Sequence, residues 1–104
     1  TELTWDDTVA TAAMTRSKEI EKSFSHTRPD GRNFGTAITD LGITYRGAGE
    51  NIAWGQKTPE AVMNAWMNSE GHRANILNPN FKKLGVGYRT DSQRTPYWTQ
   101  LFTY

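Results

Sequence analysis

The chain has 104 residues, enough for one domain and too few for two with separate cores. Its formal charge of +1, with 12 Lys and Arg against 11 Asp and Glu, gives little electrostatic drive toward nucleic acid or an anionic membrane. With no cysteine, disulfides and thiolate chemistry are excluded, and no apolar run approaches the ~20 residues of a membrane span.

The opening "TELTWDD" has no initiator Met and reads as a mature or trimmed domain. Thr4 with Asp7 resembles a capping box, so a first helix is expected from about Thr4 to Ser25. Val9, Ala13, Ile20 and Phe24 fall near one face of it, with Ala12 and Met14 widening the stripe. "HTRPDGR" then turns the chain, because Arg28-Pro29 disfavours helix and Asp30-Gly31 favours a turn. A second helix is expected over about 33–41, where Phe34, Ala37, Ile38 and Leu41 recur at helical spacing and Gly42 follows.

"ITYRGAGENIAWGQ" reads as extended and loop-like, its glycines breaking any long strand. Thr58 then caps a third helix with Pro59 at its first position and Val62, Met63 and Trp66 as its buried stripe. Gly71 is expected to end or bend this helix, leaving "HRANIL" one further turn. Past Asn78-Pro79-Asn80 the period becomes two. Leu84, Val86 and Tyr88 alternate with Gly85, Gly87 and Arg89, and "YWTQLFTY" alternates in the same way after a polar turn. This is an antiparallel hairpin with rings or aliphatics on both faces. The expected fold is α+β, about three helices packed around a short antiparallel sheet in a single domain over 1–104.

Chemistry has few carriers. The two histidines are His26, before a turn, and His72, at an expected helix end where a cation gains from the dipole. Glu50 leads into the apolar Ile52, Ala53 and Trp54, so it is expected at the mouth of the core and in need of a partner. Two imidazoles and a carboxylate form a ligand set for a divalent ion such as Zn²⁺, but the spacing matches no short metal motif. No serine lies in a nucleophile elbow, and no phosphate loop occurs. Each of the three residues has an ordinary structural reading as well.

"FSHTRPDGR", "GAGENIAWG", "AVMNAWMNSEGHRANILNPNFKKLGVGY" and "YWTQLF" together resemble the CAP superfamily of cysteine-rich secretory, antigen 5 and pathogenesis-related 1 proteins. The bacterial, cysteine-free branch of SCP-like extracellular proteins is the nearer match, in order from about Leu3 to Tyr104. The resemblance implies an α-β-α sandwich with a central cleft, and an extracellular or cell-wall location. It also implies a tetrad of two histidines and two acids, in some members binding a divalent ion. His26, Glu50 and His72 match three of the four positions. Ser69 stands where the second acid is usual, and Glu70 beside it is turned by about 100° on a helix.

His26, Glu50, His72 and Glu70 are thus the candidates for catalysis, and His26, His72 and Glu50 those for a metal. The family's N-terminal helix is not among these residues; its lack is expected to leave apolar surface near Trp5 and Trp66, or a partner chain over it. The expected function is a secreted binding module for a lipid, sterol, glycan or cell-wall fragment. The alternatives are a metal-assisted hydrolase and a non-catalytic scaffold.

Overall fold

An aspartate, rather than Thr4, starts the first helix. In the computed structural model, which describes residues 3–104, helix α1 runs Asp7–Lys22. Asp6 caps it, its carboxylate accepting the backbone N–H of Thr8 and of Val9 at 2.9 Å each. Thr4 is unavailable because it belongs to a short strand, β1 (Thr4–Trp5), and pairs there with Lys83. The bond from Val9 does most to hold the Asp6 carboxyl below its ordinary range, against an opposing effect of burial. Asp6→Ala is expected to lower unfolding free energy by about 1 kcal/mol in urea titrations at neutral pH. Because the folded-state pKa is depressed, this contribution is lost as pH falls through it, so the difference from wild type should vanish in acid.

The inner face of α1 carries Val9, Ala12, Ala13 and Ile20, as the spacing predicts, and adds Arg16 and Ser17. Met14 and Phe24 lie outside it, 40% and 48% exposed. The helix stops at Lys22, short of the expected Ser25, because the following residues turn to enter the cleft described below. The second helix is shorter than its periodicity predicts: α2 is only Thr36–Thr39, where the N–H groups of Ala37 and Ile38 reach three residues back to the carbonyls of Phe34 and Gly35 in the preceding turn. Ala37 and Ile38 are buried and Leu41 is exposed, and Gly42 follows at φ +86°.

The glycine-rich segment is a strand after all, β2 (Ala48–Trp54). Gly49 does not break it. A side chain there would meet the ring of Phe81, its Cβ 2.8 Å from Cζ, so glycine is what admits that ring. Helix α3 (Pro59–Met67) is capped by Thr58 with Pro59 first, as expected. The break that follows falls at Asn68 and Ser69, and α4 (Glu70–Leu77) is a separate helix with Gly71 inside its first turn.

Strands β3 (Lys83–Thr90) and β4 (Pro96–Thr103) form the expected hairpin. The sheet order is β1-β3-β4-β2, with β1 parallel to β3 and the other pairs antiparallel, so the sheet is mixed. Helices α1 and α2 cover one face through Val9, Ala12, Ala13, Ile38 and Leu101. The other face packs Ala53, Val62, Trp66 and Trp98. The fold is therefore the expected α+β sandwich, with a fourth helix and a short parallel strand. Trp66 is buried, its indole N–H donating to the Ile52 carbonyl at 3.3 Å, so the apolar surface expected there is absent; Trp5 is 54% exposed.

Candidate functional site

Strand β2 puts two consecutive polar side chains inside the protein. Successive strand residues point to opposite faces, so Glu50 enters the α1 layer and Asn51 the α4 layer, at 4% and 0% exposure. Each staples one helix layer to the same edge strand.

On the α1 side the partner is Arg16, wholly buried on the apolar face of its helix. Its Nε donates to Glu50 Oε2 at 2.6 Å and its Nη2 to Oε1 at 3.1 Å, a fork on a carboxylate. The same Nη2 donates to the carbonyl of Ser25, and Nη1 to Glu19 at 2.8 Å. Burial opposes the charge on Arg16, but Glu50 and Glu19 outweigh it and keep the guanidinium more firmly protonated than usual. Burial likewise works to raise Glu19, while hydrogen bonds from Arg28 and Arg16 prevail and hold its carboxyl below the usual range.

By fixing Ser25, Arg16 also fixes the residue before His26. His26 Nδ1 meets Glu50 Oε1 at 2.8 Å. A carboxylate only accepts, so Nδ1 carries the hydrogen and Nε2 is the basic nitrogen of the neutral ring. The imidazole is 58% exposed while the Glu50 side chain beneath it is fully covered, so the histidine faces solvent over a buried carboxylate.

On the α4 side Asn51 donates to the carbonyl of His72 at 3.1 Å. Asn75 donates to Asn51 Oδ1 at 3.0 Å and to the Glu50 carbonyl at 3.2 Å. His72 Nδ1 shares a 2.8 Å hydrogen bond with Ser69 Oγ. The hydroxyl at the family's usual acid position thus orients this ring without adding charge. Burial, and then repulsion from His26, push His72 below the ordinary histidine range, favouring its neutral form.

The two imidazoles border both of two adjoining clefts along the edge of β2, of about 310 and 440 Å³. Glu50, Asn51, Ser69 and Asn75 line the first; Phe24, Ile52, Trp54 and Gln56 line the second. Among the described residues, Gln56 Oε1 is a buried acceptor with no protein donor. His26, Glu50 and His72 therefore line one cleft, the placement that the family resemblance implies, whereas Glu70 is exposed and lines neither cleft.

As a zinc site the set does not fit. Both Glu50 oxygens already accept, from Arg16 and His26, so the carboxylate orients a histidine rather than offering itself as a ligand. Among the described residues no three His, Asp or Glu side chains gather where they would hold a metal. Two imidazoles alone fall short of the three protein ligands of a catalytic zinc.

Sequence reasoning missed Arg16, Asn51 and Asn75. For Arg16 a signal existed: it sits at helical spacing between Ala12 or Ala13 and Ile20, and a charge on an apolar stripe needs a buried partner. Asn51 and Asn75 gave none, since an asparagine in "GEN" or "RANIL" is equally at home in a loop.

Comparison with known proteins agrees with this fold. The profile of the CAP, or cysteine-rich secretory protein, family matches residues 1–102. The uncharacterized protein YkwD of Bacillus subtilis (strain 168) is 48% identical over 99 residues, covering 93% of this chain and 37% of that protein. A crystal structure of an extracellular protein containing a SCP domain from Bacillus anthracis superposes with a TM-score of 0.89 at 35% identity, over 99% of this chain and 34% of that one. An outer surface protein of Borrelia burgdorferi shares the fold, with a TM-score of 0.88 at 23% identity over 99% of this chain and 77% of its own. The chain thus spans about a third of the length of YkwD and of the anthracis protein.

Proposed function

Because the chain belongs to the CAP family, the cysteine-rich secretory proteins, we propose that it is an extracellular binding module. In this reading its histidine clefts take a polar fragment of glycan or cell-wall type. The extracellular part leans on the anthracis relative, which is described as extracellular. The observation that carries the ligand part is the composition of the larger cleft. His72, which leans to its neutral form, lines it with His26, Gln56 and two half-exposed rings, Phe24 and Trp54. Such a cleft suits a ligand that presents hydroxyl or amide donors along with flat C–H faces.

Hydrolysis through a carboxylate base fits less well, because such a base must reach the cleft with a free lone pair, and Glu50 has both oxygens occupied by Arg16 and His26 while Glu70 lies outside. His26 Nε2 keeps such a lone pair at the cleft, so the assay for new reducing ends decides between binding and turnover.

The test is calorimetric titration of a soluble N-acetylglucosaminyl–N-acetylmuramyl peptide, with wild type and His72→Ala, at pH 7.5 and pH 5. His72 has a depressed pKa, so it is neutral at the higher pH and gains charge as pH falls below the ordinary histidine range. Affinity should be highest at pH 7.5 and fall in acid. His72→Ala should lose about tenfold at pH 7.5, the size of one hydrogen bond, and show a flatter pH response. Equal affinity in wild type and variant at both pH values contradicts the binding site. Release of new reducing ends contradicts the non-catalytic reading.

A further inference from the structure

A second cavity, of about 870 Å³, opens where β2 leaves the sheet under the β3–β4 turn. Trp54 borders both it and the histidine cleft, but the other residues differ. Its walls combine two exposed rings, Trp54 at 57% and Tyr88 at 42%, with two cations, Lys57 and Arg94, and the polar Thr90 and Gln93. No carboxylate lines it, and among the described residues neither Lys57 nor Arg94 forms an ion pair. On a chain whose formal charge is only +1, that sets two cations on the lining of one cavity, with the Asp91 carboxylate engaged in the turn beside them.

The rim is already in place. Asp91 Oδ1 accepts the N–H of Gln93 at 2.8 Å and of Thr95 at 2.9 Å, and Oδ2 takes the Tyr97 hydroxyl at 3.1 Å. Arg94 within that turn sits at φ +66°, a left-handed conformation that costs a non-glycine residue energy. Tyr88 is held against Trp98, ring centres 4.4 Å apart, and the Trp98 indole donates to the Gln56 carbonyl at 2.8 Å. Little loop freedom remains to be lost on binding, and the side-chain ordering falls mainly on Lys57 and Arg94.

We propose that this cavity binds an anionic saccharide. Sugar rings lay their C–H faces on Trp54 and Tyr88, their hydroxyls meet Thr90 and Gln93, and a uronate or similar carboxylate pairs with Lys57 and Arg94. Rings alone would suit a neutral glycan and cations alone any polyanion. The two interleaved in one carboxylate-free cavity suit a sugar bearing negative charge.

The probe is a hexasaccharide alternating N-acetylglucosamine and glucuronic acid, titrated into the folded domain by calorimetry and tryptophan fluorescence at low and high salt. Neutral N-acetylglucosamine hexamer and hexaglutamate are the comparisons. The charged hexasaccharide should bind more tightly than either and weaken with salt. Trp54→Ala, and separately Lys57→Ala with Arg94→Gly, should each cost about tenfold or more. Arg94→Gly is a safe variant for folding, because glycine prefers the left-handed conformation found there. His72→Ala should bind the uronate as wild type does, so this site and the histidine cleft can fail independently. The proposal is overturned by no binding of the uronate, by equal binding of either comparison ligand, or by wild-type affinity in the Lys57 and Arg94 variant.

Discussion

Arg16→Met should destabilise the domain by about 3–5 kcal/mol, the range for removing one partner of a buried ion pair. The loss is large against the ~5–15 kcal/mol stability of a typical domain. Two carboxylates lose a partner at once: Glu50, which has no exposed side chain, and Glu19. The Ser25 carbonyl loses its donor too. Arg16→Lys should recover only part of the loss, since a single ammonium cannot reproduce the fork on Glu50. The double change Arg16→Met with Glu50→Leu is the informative one. It removes the buried charge with its partner, so it should be more stable than Arg16→Met alone. It should nevertheless leave His26 without its anchor. Urea unfolding at constant m-value measures the first effect. Loss of the muropeptide signal in a variant that still folds measures the second.

A comparably large effect is expected at Gly85 and Gly87, which carry no chemistry. They lie on the face of β3 that meets α1, and a Cβ at Gly85 would stand 2.2 Å from the backbone nitrogen of Ala10. One at Gly87 would stand 2.3 Å from the carbonyl oxygen of Ala13. Backbone atoms cannot rotate away as a side-chain tip does, so the whole helix has to move. Each alanine should cost about 3 kcal/mol, the upper end of ordinary overpacking. Gly71→Ala is the control: a Cβ there meets nothing within 4 Å, and it lies inside α4. That change should be neutral or stabilise by up to ~1 kcal/mol through helix propensity. Thermal and urea unfolding of the three single variants separates close packing from a general intolerance of side chains at glycine.

The glycines show why the fold was partly legible in the sequence. The alternation around Gly85 and Gly87 marks β3 correctly, and Thr58-Pro59 places the start of α3 to the residue, because both signals are local. Elements set by distant partners were not legible in the same way. The register of α1 depends on β1 pairing with β3, which takes Thr4 and leaves Asp6 as cap. Gly49 reads as a strand breaker until Phe81 is seen stacked over it. The Phe34, Ala37, Ile38, Leu41 spacing predicts more helix than forms, because Leu41 finds nothing to pack against and remains exposed.

The site divides similarly. Motifs named His26, Glu50 and His72, and those residues do share a cleft. Their roles were not in the motifs. Whether a carboxylate is a ligand or a support depends on what already occupies its oxygens, and Arg16 is 34 residues away in sequence. Ser69 illustrates the same point, a hydroxyl holding His72 where an acid is usual.

The central claim is that Glu50, fixed by Arg16, dictates the orientation of His26 at the cleft. Long-range ¹H–¹⁵N correlation spectra of the imidazole rings at pH 8 test it most directly, because they report which nitrogen bears the proton. With Glu50 accepting from Nδ1, His26 should appear as the Nδ1–H tautomer, and Glu50→Gln should erode that preference. A wild-type His26 in the Nε2–H tautomer, or one indifferent to Glu50→Gln, would contradict the account.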